Sequence, residues 1–254
     1  MDLSIIVRPK EAHMGRLLER CRILKEMMDS HSAYSPSGEQ IPIHSTIPLA
    51  YAEALYETVL RASPTLVLEV GVAFGVSSLA ILSALHDGNR DGRLISIDPA
   101  QSSVWKGCGL AAIARAGFEK RHELIEDYDY NVLPRLLATN LKIEFAYIDG
   151  WHTFDYALVD WWYVDKMLTV DGIVGFNDCS WPSVDKVIRF VLSHRKYSEI
   201  NAGLPVTLSG CSRKRELLRR LTFGRKEEWY RRCEDRYFKK TANWEPRWDF
   251  FAPF

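Results

Sequence analysis

The chain has no charge of either sign to spare: 33 Lys and Arg balance 33 Asp and Glu across 254 residues. No global field therefore recruits nucleic acid or an anionic membrane, and recognition has to be local. Its five cysteines, Cys21, Cys108, Cys179, Cys211 and Cys233, are odd in number and show no CxxC or Cys/His metal spacing. That excludes a disulfide framework or a zinc module and fits a reduced compartment. No run approaches the roughly 20 apolar residues of a bilayer span. The opening "MDLSIIVRPKEAHMG" holds too short an apolar run for a signal peptide, so a soluble cytoplasmic protein is expected. Internal repeats, low-complexity tracts and the GxGxxG pyrophosphate fingerprint are also missing, and the last absence disfavours a dinucleotide.

What is present, at 47% hydrophobic residues, suits one large α/β domain with appendages. Apolar residues from Lys10 to Asp29 recur at helical spacing, a proline- and serine-rich loop follows, and a second helix is expected over Leu49 to Arg61. After Pro64 short apolar runs alternate with helix-period stretches: "TLVLEV", "RLISID", "HELIE", "KIEFAYID" and "GIVGFND" are the strands. Such alternation means a Rossmann-like, doubly wound, mostly parallel sheet covered on both faces. Two further runs, "YSEIN" and "PVTLSG", are close enough for an antiparallel hairpin, giving seven strands in all. The expected organisation is an N-terminal helix and cap loop (1–48), the sheet domain (49–210) and a basic, helical and aromatic extension (211–254). In that extension Cys211 to Lys240 carries 12 Lys/Arg against 5 Asp/Glu, and Leu217, Leu218, Leu221 and Trp229 mark a helix face. The aromatic ending "NWEPRWDFFAPF" must be covered: by the parent domain, by closing over a ligand, or by a second copy.

Ligands on such sheets bind beyond the carboxyl ends of the strands, near the switch in strand order. Glu69, Gly71, Gly75 and Ser77 fall there, in "LEVGVAFGVSS". Glycine lets the backbone turn and approach a ligand, and the helix that follows opens with unpaired N–H groups. Asp98 ends the second strand, where an acid accepts hydrogen bonds from ribose hydroxyls. "LEVGVAFGVSS" with "ISIDP" resembles the first two motifs of class I S-adenosylmethionine-dependent methyltransferases, in the form found in catechol and caffeoyl-CoA O-methyltransferases and in macrocin- and mycinamicin-type sugar O-methyltransferases. The resemblance implies that Glu69 lies near the methionine moiety and that Asp98 binds the ribose. It also assigns "EDYDYNVLP" to the adenine contact, for which Asp127 is the candidate, with a helix N-cap at Asp127 or Asp129 as the alternative.

Asp149 ends the fourth strand, and Asn177 and Asp178 end the fifth. Two carboxylates and an amide oxygen form a hard-oxygen set for Mg²⁺ or a similar divalent cation, and the same families place metal ligands at these strand ends. Their fifth strand reads Asp-Asn where this chain reads Asn-Asp. His152, three residues after Asp149, is the candidate general base, or else a group that fixes its loop. His44, Ser45 and Thr46 are expected to fold over the cofactor or to serve as turn residues. The activity implied is transfer of a methyl group to a hydroxyl of a small acceptor, a sugar of a natural product or glycan, with Asp149 and His152 at the reacting oxygen. A cephalosporin hydroxylase-like enzyme and a non-catalytic S-adenosylmethionine-binding subunit are the alternatives. RNA is disfavoured as a substrate by the neutral charge, and a homo-oligomer is left open.

Overall fold

A computed structural model describes residues 15–88, 91–204, 207–208, 231–232 and 234–254. The N-terminal helical pattern is two helices, α1 (Arg16–Arg20) and α2 (Arg22–Ser30), because Cys21 between them adopts an extended conformation (φ −116°, ψ 92°). The beginning of that pattern, 10–14, lies outside the described residues. The loop expected next contains a small hairpin, β1 (Ser32–Tyr34) with β2 (Gln40–Pro42). Three-residue strands are too short to display a period of two. Helix α3 (Leu49–Ala62) follows.

The main sheet alternates as expected: β3 (Leu66–Val70), α4 (Val76–Asp87), β4 (Arg93–Ile97), α5 (Cys108–Arg115), β5 (His122–Ile125), α6 (Asp129–Ala138), β6 (Ile143–Ile148), α7 (Phe154–Met167), β7 (Leu168–Phe176), α8 (Pro182–His194) and β8 (Tyr197–Ile200). A two-residue pairing joins β9 (Thr207–Leu208) to β10 (Arg231–Arg232), and β11 (Arg236–Lys240) re-enters the sheet. The seven strands stand in the order β5-β4-β3-β6-β7-β11-β8. The first five are mutually parallel and β11 runs antiparallel to both neighbours. The chain steps outward from β3 to β5 and then returns to β6 on the other side, so the switch point lies between β3 and β6.

Successive residues of β3 serve opposite layers, since Val67 packs with α3, α4 and α5 whereas Leu68 and Val70 pack with α6, α7 and α8. Covering both faces is what makes the strand read as a continuous apolar run. On that pattern Glu69 faces the α4 side.

The expected hairpin needs correction in its second strand. Tyr197–Ile200 pairs antiparallel with Arg236–Lys240, not with "PVTLSG". Tyr237 joins one core layer and Phe238 the other, so β11 contributes a buried ring to each face at once. "PVTLSG" carries no comparable pair. The seventh strand thus comes from within the stretch that composition sets apart as an extension. The basic helix expected with Leu217, Leu218, Leu221 and Trp229 lies outside the described residues.

Buried charges lock this edge. Lys240 Nζ donates to the carbonyls of Asp165 (2.6 Å) and Leu168 (3.1 Å), while the Asp165 carboxylate accepts from the Tyr197 hydroxyl at 2.7 Å. Within the aromatic ending Phe250 and Phe254 pack on α8, meeting the His194 ring edge-on at 5.4 and 5.5 Å, whereas Trp248 and Phe251 stay exposed. Lys186 Nζ donates to the Phe254 carbonyl.

Candidate active site

Four strand tips meet edge to edge at the switch point. Beyond the last paired residues, Gly71 N donates to Ile97 O (2.8 Å), Asp149 N to Val70 O (2.9 Å) and Asn177 N to Ile148 O (3.0 Å). The sheet's hydrogen bonding therefore delivers Asp98, Gly71, Asp149 and Asn177 side by side. A shallow surface groove lined by Arg61, Glu144, Asp171 and Lys239 lies away from these tips and gathers none of the predicted site residues.

Gly71 has φ +90°, a conformation that strongly favours glycine. A Cβ there would sit 2.0 Å from the Asp149 carbonyl oxygen. The glycine turn and the β6–α7 loop are thus pressed together without room for a side chain. Gly75, at φ +84°, caps α4, and a Cβ on it would be 3.1 Å from Gly109 Cα.

Asp98 holds this turn. Its Oδ2 accepts from Val72 N (3.0 Å), Ala73 N (2.9 Å) and Gln101 Nε2 (3.1 Å), and its Oδ1 from Ala100 N (2.8 Å). Gln101 also donates to Ala73 O at 2.7 Å. Ala73 is kept at φ +48°, which costs an L-residue about 1–2 kcal/mol.

Glu69 is 0% exposed, and its Oε2 accepts from Ser78 Oγ (2.6 Å) and Ser96 Oγ (2.7 Å). Burial pushes its pKa up to about 7 against the opposing serine hydrogen bonds, and Oε1 has no partner. It supports the turn from below, with the buried Ser77 beside it. Asp127 is spent locally: it accepts from Tyr128 N (2.7 Å), Asn131 Nδ2 (3.1 Å) and Arg135 (2.7 Å), while the N-cap of α6 is Tyr128 and no side chain caps it. His44 folds over the glycine turn, its ring edge-on to Phe74 at 5.2 Å and 5.7 Å from Trp105.

At the tips of β6 and β7 the side chains of Asp149, His152 and Asp178 converge, one donor atom of each lying within 4.8 Å of the others. His152 Nε2 is 2.9 Å from Asp178 Oδ2 and 3.4 Å from Asp149 Oδ1. Neither contact has the angles of a hydrogen bond, so both are ion-pair contacts of a buried nitrogen. Burial disfavours the imidazolium, but the two carboxylates outweigh it and push the His152 pKa up to about 9. Burial also raises the Asp149 pKa, against the pull of His152. Asp178 reaches the cluster from a left-handed backbone, φ +51°. Asn177, expected as the third ligand, sends its amide nitrogen inward to Asp235 Oδ1 (2.8 Å). Trp181 lies 5.6 Å from the His152 ring, and both Trp181 and Trp151 are exposed.

A family model described as a methyltransferase domain matches residues 68–179, the span from the glycine turn to the tip of β7. Those residues are similar to a methyltransferase domain. No curated protein matches the sequence. Among solved structures, the domain's fold is shared with the O-methyltransferase from Bacillus cereus in complex with SAH, at 15% identity over 77% of this chain and 85% of that one, TM-score 0.56. The O-methyltransferase TomG from Streptomyces achromogenes, in complex with SAM, aligns at 16% identity over 78% and 84%, TM-score 0.55. Cofactor-bound Rv0187 from MTB aligns at 12% identity over 90% and 94%, TM-score 0.63. Among the described residues no helix is long and apolar enough to cross a membrane, and Cys21, Cys108 and Cys179 are buried with no disulfide between them.

Two observations test the groups this fold would hold. The glycine turn, tied down by Asp98 beyond the carboxyl ends of the strands at the switch point, lies where such sheets bind a nucleotide-like ligand. Two carboxylates, Asp149 and Asp178, converging beside His152 at neighbouring strand tips fit a divalent cation. Sequence reasoning missed Gln101, Ser78, Ser96 and Asp235, which hold the site residues from behind. Only spatial proximity reveals them.

The cluster should also be visible in stability. A histidine whose folded pKa is about 9 contributes stability that is fully present below its unfolded value near 6.5 and is lost as pH rises through 9. In chelator, the melting temperature should fall by a few degrees between pH 6.5 and 9.5, and His152→Gln should remove most of that fall. Identical slopes in both proteins would contradict the pairing.

Proposed function

We propose that the protein transfers a methyl group from S-adenosylmethionine to a hydroxyl of a small acceptor, with sugars of natural products or glycans as the leading class. The observation that carries this reading is the Asp149–His152–Asp178 cluster set against the glycine turn, where the Gly71 backbone abuts Asp149. The methyl donor supplies an electrophilic carbon on a sulfonium sulfur. As the new O–C bond forms the C–S bond breaks, and sulfur retains the electron pair as a thioether.

This chain's residues have three tasks. Gly71, Gly75 and Ser77 shape the crevice, with Glu69 bracing it and Asp98 at the ribose position; Asp127 stands beside the adenine position. Asp149 and Asp178 would hold the metal, whose positive charge would offset the carboxylate field and lower the acceptor hydroxyl's pKa. His152 then takes the hydroxyl proton, for which its ring must be neutral. Most of the acceleration comes from alignment of oxygen, carbon and sulfur. Trp151 and Trp181 offer flat apolar surface to the acceptor ring.

The test is formation of S-adenosylhomocysteine. The protein is incubated with S-adenosylmethionine, Mn²⁺ or Mg²⁺, and a panel of hydroxylated sugars, macrolide glycosides and catechols. Acceptor-dependent product supports the reading, and no turnover on any acceptor combined with no cofactor binding by calorimetry overturns it.

A further inference from the structure

Beneath the Asp149–His152–Asp178 cluster lies a buried polar network that the methyl-transfer reading leaves unused. Asp235, 2% exposed, accepts three hydrogen bonds from side chains: from Asn177 Nδ2 at 2.8 Å, Tyr147 OH at 3.0 Å and Tyr237 OH at 2.9 Å. Tyr147 lies two residues before Asp149 on β6. Asn177 immediately precedes Asp178 at the tip of β7. Asp235 itself comes from the turn into β11, outside the stretch 68–179 that matches the methyltransferase domain.

An amide side chain has a donor end and an acceptor end, and whichever end is held fixes the other. A carboxylate can only accept, so Asp235 takes Asn177 by its nitrogen. The second contact of that nitrogen, 3.4 Å from the Tyr147 hydroxyl, points to the same side. Among the described residues none donates to Asn177 Oδ1. That oxygen is not among the buried atoms left without a partner, so it keeps contact with solvent although the residue is only 6% exposed. The nitrogen is therefore spent on the protein interior, while the oxygen is left open at the strand tip where Asp178 turns out towards His152.

We infer that Asp235 is a positioning residue that orients the Asn177 amide so that its oxygen completes the metal-binding donor set of Asp149 and Asp178, beside His152. The inference rests on reading that cluster as a metal centre. Residues that hold ligands by hydrogen bonds typically govern metal affinity by 10- to 100-fold. The chain's Asn-Asp order at the tip of β7 acquires a reason: the first residue is gripped from the interior by β11, and the second reaches the cluster through its left-handed backbone.

The experiment is titration of Mn²⁺ into the full-length protein, with free ion followed by electron paramagnetic resonance and the fold of every variant checked by thermal melting. Asp235→Ala should weaken Mn²⁺ binding by about 10- to 100-fold, and Asn177→Ala should weaken it comparably. The double variant should be no weaker than Asn177→Ala alone, because both act through one oxygen. Asp235→Asn removes the charge but keeps an acceptor for Asn177 Nδ2, so it should bind within about 3-fold of the unaltered protein. Tyr237→Phe removes a neighbouring hydrogen bond without touching Asn177 and should bind normally.

Equal loss in Asp235→Asn and Asp235→Ala would assign the effect to charge and overturn the inference. So would additive losses in the double variant, or undiminished binding in a folded Asp235→Ala. Absence of Mn²⁺ binding by the unaltered protein would sink the inference together with the metal centre, while leaving the methyl-transfer reading to its own assay. Should Asp235→Ala fail to fold, Asp235→Asn and the Asn177→Ala pair still decide the matter.

Discussion

Alanine in place of Gly71 is expected to abolish methyl transfer, by at least about 100-fold, and to lower stability by roughly 3 kcal/mol or more. Two costs add. The backbone at φ +90° lies where an L-residue is strained by about 1–2 kcal/mol. The new Cβ would also sit 2.0 Å from the Asp149 carbonyl oxygen, and its carbonyl carbon and Gly150 Cα are only 2.7 and 3.3 Å away. These are backbone atoms held in the sheet by Asp149 N donating to Val70 O, so no rotamer change relieves the clash. Either β3 or β6 must shift at its tip, and a displacement near 1 Å at reacting groups costs about 100-fold in rate. A chain of this size should melt some 6–12 °C lower. Urea denaturation and turnover measured on the same preparation would check both; a normal melting temperature with normal turnover would show that the turn and loop are not pressed together as described.

The second large effect is expected at the cluster. Asp149→Ala should reduce turnover by about 100- to 10,000-fold with little change in cofactor affinity. His152→Ala should lose about as much, and the double variant should be little worse than either, because the side chains act on one oxygen. The comparison of kcat with cofactor Kd is what discriminates. If Asp149→Ala weakens cofactor binding tenfold and leaves kcat intact, Asp149 belongs to the donor's side of the crevice and the acceptor site must be sought elsewhere.

Much of this was legible in the order of residues. The five parallel strands announce themselves because each is covered on both faces and so reads as a short apolar run. The helices between them keep a 3.6-residue rhythm. Asp98, Asp149 and Asp178 stand out as charges at the ends of apolar strands, which is where the switch point gathers them. What escaped notice is mostly pairing over long separations. Arg236–Lys240 looks like part of a basic segment, since Arg236, Lys239 and Lys240 dominate its composition, although Lys240 is buried on two carbonyls and Asp165. The β1–β2 hairpin is too short to betray a period. Asn177 reads as a ligand because its residue type is right, and nothing in its neighbourhood of sequence reveals that a carboxylate 58 positions later has taken hold of its nitrogen.

The insertion of β11 between β7 and β8 has a consequence for how the molecule comes into being. As the polypeptide emerges from the ribosome, β7 and β8 are made well before the strand that separates them, and through that interval each presents an unpaired ladder to its surroundings. Closure waits for a partner some 40 to 60 residues downstream, a long-range contact of the kind that slows folding and exposes nascent chains to misassociation. Because Asp235 arrives with that same strand, the floor beneath the β7 tip is finished only once β11 has been made.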